Sequence, residues 1–306
     1  MKTITFMKAD VPALGLLVDD LILDVAAAAQ HYNSTVAQHD MQLIAGGASA
    51  IGQLEALALQ AQSNPELWLQ EADIVWGPSV TRPNKLICVG LNYRKHADET
   101  NAAYPEYPIL FNKFNNTLTG HKHDIAIPSV TSQLDYEVEL AIVIGKEAKY
   151  VAYADALDYV YGYTIVNDLS ARDLQMRTPQ WLLGKTCDGF SPLGPYLVSA
   201  DEVGDPNQLN VRTIVNGDVR QDSNTSDMIF NCAEIVSYIS QHMTLTPGDV
   251  ILTGTPEGVV LGLPEAERVF LQPGDEVVIE IEKLGRLENR FVAEPDKPAN
   301  WKRIGS

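Results

Sequence analysis

Residues 134–144 read Leu134-Asp135-Tyr136-Glu137-Val138-Glu139-Leu140-Ala141-Ile142-Val143-Ile144. From Tyr136 onward the run is rich in β-branched and aliphatic residues, which predicts a strand. Because side chains two residues apart on a strand point to the same side, the carboxylates of Glu137 and Glu139 should project together, with Val138 and Leu140 on the opposite face. The sequence therefore places two acidic side chains on one face of an otherwise apolar strand.

Asp168 is a third carboxylate in a similar position, because it lies just beyond the strand-like run at 161–166. Clustered carboxylates repel each other and resist desolvation unless a positive charge lies between them. A divalent cation would supply that charge, and an all-oxygen ligand set favours Mg²⁺, Mn²⁺ or Ca²⁺. The alternative is that Glu137 and Glu139 form the solvated face of an edge strand, since a short Glu-x-Glu pattern often occurs without a function.

The composition excludes several classes of protein. A formal charge of −18 and a pI near 4.6 argue against nucleic acid and anionic membranes as partners. The cysteines Cys88, Cys187 and Cys232 are widely spaced, which predicts reduced thiols rather than disulfides or a zinc site. The first residues lack a signal-peptide pattern, and no apolar run reaches transmembrane length. The sequence therefore predicts a cytoplasmic protein.

The chain divides into two parts that differ in their residue patterns. Residues 1–78 predict a small N-terminal α/β domain, with a hairpin over 13–25 and a helix over 49–62. Residues 79–306 predict a larger domain, and the proline-containing steps Gly77-Pro78 and Arg82-Pro83 mark the boundary.

The larger part predicts mainly β structure. A hairpin is expected around Asn216-Gly217, whose sequence is typical of a type I′ turn. Further strands are expected at 86–89, 250–252 and 276–281, and the one clear helix at 226–243. Many short strands with few helices predict an α+β, mainly β fold of the rolled or sandwiched kind.

Seven short blocks occur along the chain in a fixed order. They are Gly90-Leu91-Asn92-Tyr93-Arg94-Lys95-His96-Ala97-Asp98-Glu99; Phe111-Asn112-Lys113; Leu134 to Leu140; Gly162 to Gln175; Gly184-Lys185-Thr186; Pro192-Leu193-Gly194-Pro195; and Leu252 to Val259. In this order and spacing the chain resembles the fumarylacetoacetate hydrolase family over residues 82–291. Residues 131–137 further resemble its bacterial acylpyruvase and oxaloacetate-decarboxylase-like branch. The resemblance implies a mixed β-sandwich roll with a small N-terminal domain, and a homodimer.

The resemblance also implies roles for individual residues. It makes Glu137, Glu139 and Asp168 the ligands of Mg²⁺ or Mn²⁺, a site that Ca²⁺ could occupy in a crystal. It makes His96 and Glu99 a pair that activates water, and a spacing of three residues would put both on one side of a helical turn. We expect the following segment, 97–108, to act as a lid.

Further residues would contact the substrate. The resemblance implies that Lys185 polarises it and that Arg172, Gln175 and Thr255 bind it. The chain departs from the family pattern at Phe114, Cys187 and Gly189. We expect these departures to reshape the pocket, so they affect the identity of the substrate.

Several reactions fit such a site. The first is hydrolysis of a C–C bond in a 2,4-dioxo acid of the acylpyruvate or fumarylpyruvate type, through a pyruvate enolate stabilised by the metal. The second is decarboxylation of oxaloacetate, and the third is isomerisation or tautomerisation of an unsaturated 2-hydroxy diacid. The His96–Glu99 pair places hydrolysis slightly ahead. A protein that binds a metabolite without catalysis is the alternative outside enzymology.

Overall fold

In the computed structural model, which describes residues 1–297, more residues lie in strands than in α-helices. The strands are β1 (Lys2–Lys8), β2 (Val11–Val18), β3 (Leu21–Asp24), β4 (Trp68–Leu69), β5 (Leu86–Gly90), β6 (Ile109–Lys113), β7 (Leu118–Thr119), β8 (Asp124–Ile127), β9 (Leu134–Asp135), β10 (Val138–Ile144), β11 (Val160–Asn167), β12 (Ser170–Ala171), β13 (Ser191–Ser199), β14 (Asn210–Val215), β15 (Asp218–Asn224), β16 (Val250–Leu252), β17 (Glu276–Ile281) and β18 (Gly285–Ala293). The α-helices are α1 (Val25–Tyr32), α2 (Asp40–Ala61), α3 (Arg94–Glu99), α4 (Arg172–Gln175), α5 (Leu182–Lys185), α6 (Ala200–Val203) and α7 (Cys232–His242). Across this described part of the chain, every helix is too short or too polar to cross a membrane.

Strand β10 lies inside an eleven-stranded sheet with the order β4-β3-β2-β1-β13-β11-β10-β16-β5-β6, and β7 pairs with β13. Every residue of β10 is buried. Val138 and Leu140 join one apolar cluster, whereas Ala141 and Val143 join another on the opposite face. The predicted alternation is therefore confirmed, although the strand begins at Val138 rather than at Tyr136. Both faces are apolar because both are covered.

The second large sheet has five strands in the order β15-β14-β17-β18-β8. The apolar cluster that contains Val138 also includes Val211 of β14, Ile279 of β17, Leu287 of β18 and Ile239 of α7. This core therefore lies between the two sheets and the longest helix of the second half. The arrangement confirms the α+β, mainly β sandwich expected from the sequence.

The N-terminal part contains the predicted hairpin, in which β2 and β3 join so that Val18 pairs with Leu21. Helix α2 begins at Asp40, earlier than expected, and Gly47 interrupts it with a φ of 52°. Strand β1 pairs with β13, so this part extends the main sheet. Its status as a separate domain stays a prediction, and the end of the predicted larger domain, 298–306, lies outside the described residues.

Helix α7 begins six residues later than the sequence suggested, at Cys232. Asn231 and Glu234 form a capping box in which each side chain accepts a hydrogen bond from the other's backbone N–H. The residues before the cap lie outside the helix and contact α3 instead. The carbonyl of Met228 accepts a hydrogen bond from Arg94 Nη1 (2.6 Å). This contact fixes the start of α3, which carries two of the predicted site residues.

Candidate active site and metal centre

The three acidic residues meet where β10 and β11 run side by side. Val138 pairs with Asn167, and the amide of Asp168 donates a hydrogen bond to the carbonyl of Glu137 (3.0 Å). Glu137, Glu139 and Asp168 are buried, and each offers a carboxylate oxygen within 4.8 Å of the others. Because Glu137 and Glu139 are buried, the alternative reading as the solvated face of an edge strand is wrong.

Two buried lysines compensate this negative charge. Lys185 Nζ donates to Glu137 Oε2 (2.9 Å) and to Asp168 Oδ2 (2.8 Å), so it bridges two members of the triad. Lys113 forms an ion pair with Asp168 and donates to the carbonyl of Phe190 (2.7 Å). No role for Lys113 was predicted from the sequence. Its signal was its place in the block Phe111-Asn112-Lys113, to which no role was assigned.

Arg172 also contacts one carboxylate of the triad. Its Nε donates to Asp135 Oδ2 (2.8 Å), and its Nη1 contacts Glu137 Oε1 (2.7 Å) and Gln175 Oε1 (3.0 Å). Its Nη2 is buried and has no hydrogen-bond partner. Because an unsatisfied buried donor is costly, this nitrogen is suited to receive an anion.

The charges do not compensate the three acids equally. Burial would raise the pKa of Glu137, but the charges of Lys185 and Arg172 outweigh it and hold that pKa well below its usual range. Burial raises the pKa of Glu139, and the charges of Asp168 and Glu137 raise it further. Glu139 instead accepts a hydrogen bond from the amide of Gly254 (2.7 Å).

The donor set fits a divalent metal ion. Three buried carboxylates supply hard oxygen ligands, and Glu139 lacks a close cationic partner in the described chain. A cation beside Glu139 would remove the repulsion that raises its pKa. The buried triad could therefore hold an ion such as Mg²⁺ or Mn²⁺, both of which prefer oxygen ligands.

Helix α3 brings the predicted His96–Glu99 pair together. His96 Nδ1 and Glu99 Oε1 are 2.7 Å apart and form a hydrogen bond. Glu99 Oε2 accepts a second hydrogen bond from the amide of Gly258 (2.9 Å). The carboxylate is thus fixed from two sides, which holds the imidazole ring in one orientation. Its Nε2 atom is then the one that can accept or donate a proton in a reaction.

Thr255 is held by a residue that sequence reasoning missed. Gln221, a buried residue of β15, donates from Nε2 to Thr255 Oγ1 (2.9 Å) and to the carbonyl of Pro256 (3.0 Å). Its Oε1 accepts from the amide of Val138 (3.0 Å). Gln221 therefore links the loop that carries Thr255 to the strand that carries the triad.

These groups surround a cavity of about 210 Å³, named here the inner cavity. Among the predicted site residues, those that line it are His96, Glu137, Glu139, Arg172, Gln175, Lys185 and Thr255. Asp168 and Glu99 stand behind this lining, in contact with Lys185 and His96 respectively. Trp181 packs over Gly90, where a Cβ atom would lie only 2.5 Å from the indole ring.

Phe114, Cys187 and Gly189, which were expected to reshape the pocket, do not line the inner cavity, so an effect of these residues on the substrate stays a prediction. Phe114 is exposed beyond the end of β6. The apolar wall is formed instead by residues such as Phe111, Met176, Trp181 and Leu261. Of the expected lid, only the first turns contribute to the cavity, through Thr100 and Ala102. Closure of the lid stays a prediction.

Comparisons with known proteins place the chain among related sequences. Residues 85–292 match the sequence profile described as "Fumarylacetoacetate (FAA) hydrolase C-terminal". The chain is 49% identical over 214 residues to "Oxaloacetate tautomerase Fahd2a, mitochondrial" of Rattus norvegicus, covering 70% of this chain and 68% of that protein. It is 41% identical over 298 residues to "Oxaloacetate tautomerase fahd2, mitochondrial" of Xenopus laevis, covering 95% and 90%.

Among solved structures, the chain resembles maleylpyruvate hydrolase from Sphingobium sp. SYK-6 in complex with manganese(II) and pyruvate. The TM-score is 0.76 at 29% sequence identity, and the match covers 96% of this chain and 100% of that one. The similarity extends through the N-terminal part as well as the sandwich.

The comparisons correct one expectation. Both curated relatives are named as mitochondrial, so the prediction of a cytoplasmic protein is wrong. The structure has three free cysteines, as expected. Free thiols indicate that a protein is not stabilised by disulfides, but they do not identify a compartment, which is why the cysteine argument failed.

Proposed function

Because this chain belongs to the fumarylacetoacetate hydrolase family, we propose that it interconverts the enol and keto forms of a short 2-oxo diacid of the oxaloacetate type. Membership of the family confirms both the resemblance and the expectation of an enzyme. The observation that carries the proposal is the inner cavity. Its 210 Å³ lies below the roughly 300–1,000 Å³ of pockets for drug-sized ligands.

The residues of the cavity suit a small diacid. The free Nη2 of Arg172 would bind one substrate carboxylate, with Gln175 and Thr255 beside it as further polar contacts. Lys185 would place its ammonium group beside the 2-oxo oxygen and stabilise the charge that develops there. These contacts hold the acid in one orientation, with the carbon next to the oxo group free to exchange a proton.

His96 would exchange that proton. With Nδ1 bonded to Glu99, the Nε2 atom would take a proton from C3 of the keto acid to leave an enolate. His96 would then give that proton to the 2-oxo oxygen, which forms the enol and returns the imidazole to its neutral form. Return of a proton to C3 from His96 reverses the reaction. A divalent ion held by Glu137, Glu139 and Asp168 would supply Lewis-acid polarisation of the oxo group when bound.

Hydrolysis of an acylpyruvate is a second candidate. The observation that favours it is the 2.7 Å contact between His96 and Glu99, since such a pair can activate water as well as move a proton at carbon. The structural similarity to a maleylpyruvate hydrolase supports it too. Tautomerisation now stands ahead of hydrolysis, because the curated relatives with the higher identity are named oxaloacetate tautomerases.

The test compares substrates on one preparation. Metal-free protein is restored with Mg²⁺ or Mn²⁺, and the enol–keto conversion of oxaloacetate is followed by ultraviolet absorbance, with pyruvate release measured in parallel. We expect conversion well above the buffer rate and little pyruvate. Rapid cleavage of acetylpyruvate or fumarylpyruvate with no conversion of oxaloacetate would support hydrolysis instead, and fast pyruvate release from oxaloacetate would support decarboxylation.

We also propose that the protein is a homodimer, as the family resemblance implies. Sedimentation velocity over a range of concentrations would test this directly, and a single monomeric species throughout that range would contradict it.

A further inference from the structure

A second cavity adjoins the inner cavity. It has a volume of about 550 Å³ and is named here the outer pocket, with Leu263 and Arg268 in its lining. Thr100, Met176 and Leu261 line both cavities. These three residues, named here the partition, therefore separate a small space beside the catalytic groups from a larger one.

Two members of the partition are held in place. Thr100 Oγ1 donates to the carbonyl of His96 (2.9 Å), which ties it to α3. The amide of Leu261 donates to Asp135 Oδ2 (3.0 Å), the same oxygen that accepts from Arg172 Nε. The position of the Leu261 backbone is therefore fixed by the carboxylate that also orients the proposed substrate anchor.

Met176 is different. It follows α4, the residue is 58% exposed, and its amide donates to the carbonyl of Arg172 (3.0 Å). A methionine side chain is unbranched and adapts easily to its surroundings. Thr100 and Leu261 of the partition are thus held in place by hydrogen bonds. Met176, by contrast, can be substituted with little loss of stability.

We propose that Met176 and Leu261 are specificity-determining residues that limit the substrate to a short 2-oxo diacid. This inference rests on the proposed function and deepens it. A diacid of four or five carbons can remain within the inner cavity, whereas a longer acid must extend between the side chains of the partition. Shortening either side chain joins the two cavities and admits the longer acid.

The outer pocket can hold the far end of such an acid. Arg268 donates from Nε to the carbonyl of Leu263 (2.9 Å), and its Nη atoms have no protein partner among residues 1–297. The guanidinium group can therefore bind a second carboxylate. Glu99 also lines the outer pocket, but its two oxygens are already bonded to His96 and to the amide of Gly258.

The test measures binding of two acids that differ by one methylene group, the five-carbon 2-oxoglutarate and the six-carbon 2-oxoadipate. Isothermal titration calorimetry is carried out in the presence of Mn²⁺ on the wild type, Met176→Ala and Leu261→Ala. We expect the wild type to bind 2-oxoglutarate more tightly. Each variant should shift the affinity ratio towards 2-oxoadipate by about tenfold, the lower end of the discrimination that one methylene group provides.

Leu263→Ala is the matched control, because Leu263 lines only the outer pocket. Its affinity ratio should remain that of the wild type. Arg268→Gln combined with Leu261→Ala should lose the gain for 2-oxoadipate. An unchanged ratio in both Met176→Ala and Leu261→Ala would overturn the proposal, as would an equal shift in Leu263→Ala. Should Leu261→Ala unfold, the exposed Met176 variant and Leu261→Val decide the question.

Oxaloacetate conversion by the wild type is measured separately. An absence of conversion together with the expected shift in binding would reject the proposed function and retain the partition. Conversion of oxaloacetate together with an unchanged binding ratio would do the reverse.

Discussion

The site has two sides that differ in how they are held. The floor consists of the triad with Lys113, Lys185 and Arg172, all buried beside strands of the main sheet. The roof consists of α3 and residues 258–262, which are joined to each other by the hydrogen bond between Glu99 and the amide of Gly258. Ion pairs hold the floor, whereas a few hydrogen bonds hold the roof.

The two sides should therefore respond differently to substitution. Buried charges are stable only when they are paired, so the loss of a paired charge from the floor should destabilise the fold and also alter metal binding. The roof residues are nearer to solvent and are held by hydrogen bonds rather than by buried ion pairs. A change there should therefore alter turnover while the fold remains stable. The predictions below test this division, in order of the expected change in the free energy of unfolding.

The largest effect is expected from Lys113→Met. This substitution removes one of the buried cations and leaves Asp168 with less compensation, which should lower the free energy of unfolding by about 3–5 kcal/mol. Urea denaturation of the metal-free protein measures it. Lys146→Met, at an exposed position, is the matched control and should change stability by less than about 0.5 kcal/mol. Equal stability of the two variants would show that ion pairs do not hold the floor.

The second effect concerns the metal. Mn²⁺ at about one hundred times its dissociation constant should stabilise the wild type by roughly 2.7 kcal/mol. Glu139→Gln should lose this response, and without metal it should be at least as stable as the wild type, because the repulsion that raises the pKa of Glu139 is removed. Thermal unfolding with and without Mn²⁺ measures both quantities.

The control for the metal response is His96→Gln, a change in the roof, which should retain it. The pH dependence adds a further check. The pKa of Glu139 is higher in the folded protein than in the unfolded chain, so metal-free protein should gain stability as the pH falls through the folded pKa. Over the same range the proton competes with Mn²⁺, and the metal response should shrink. A response that grew on acidification would argue against Glu139 as a ligand.

The smallest effect on stability is expected from His96→Gln itself. The free energy of unfolding should change by no more than about 1 kcal/mol, since one hydrogen bond is altered. Turnover should nevertheless fall by roughly 10²–10⁴-fold, the usual contribution of a general acid or base. Lys95→Gln, at an exposed position of the same helix that lies before the expected lid, should leave turnover intact. If His96→Gln were as unstable as Lys113→Met, the division between floor and roof would fail.

The sequence correctly predicted that the three acids lie together, because strand periodicity puts Glu137 and Glu139 on one side and Asp168 follows the neighbouring strand. Their role as metal ligands stays a prediction. The hairpins around Asp19-Asp20 and Asn216-Gly217 were also predicted correctly, since local turn chemistry decides them. Lys113 and Gln221 were missed. Their roles depend on contacts across the fold, to Asp168 and to Thr255, and the residues next to them in the sequence do not reveal such partners.

The partition was out of reach for the same reason. Met176 and Leu261 are far apart in the sequence, and neither belongs to a recognisable pattern. Phe114 and Cys187 were expected to reshape the pocket because they depart from the family pattern, yet neither lines the inner cavity. A departure from the family pattern identifies a position where the residue differs. It does not show whether that residue lines the pocket, because the fold decides which loops come together there.

The pairing of β1 with β13 has a practical consequence for studying parts of this protein. A fragment that begins at residue 79 would leave the backbone groups of β13 that bond to β1 without partners, and it would uncover apolar residues such as Leu193 and Leu197. An open strand edge beside apolar side chains favours pairing between molecules. We therefore expect such a fragment to aggregate even though it retains every residue proposed for the site.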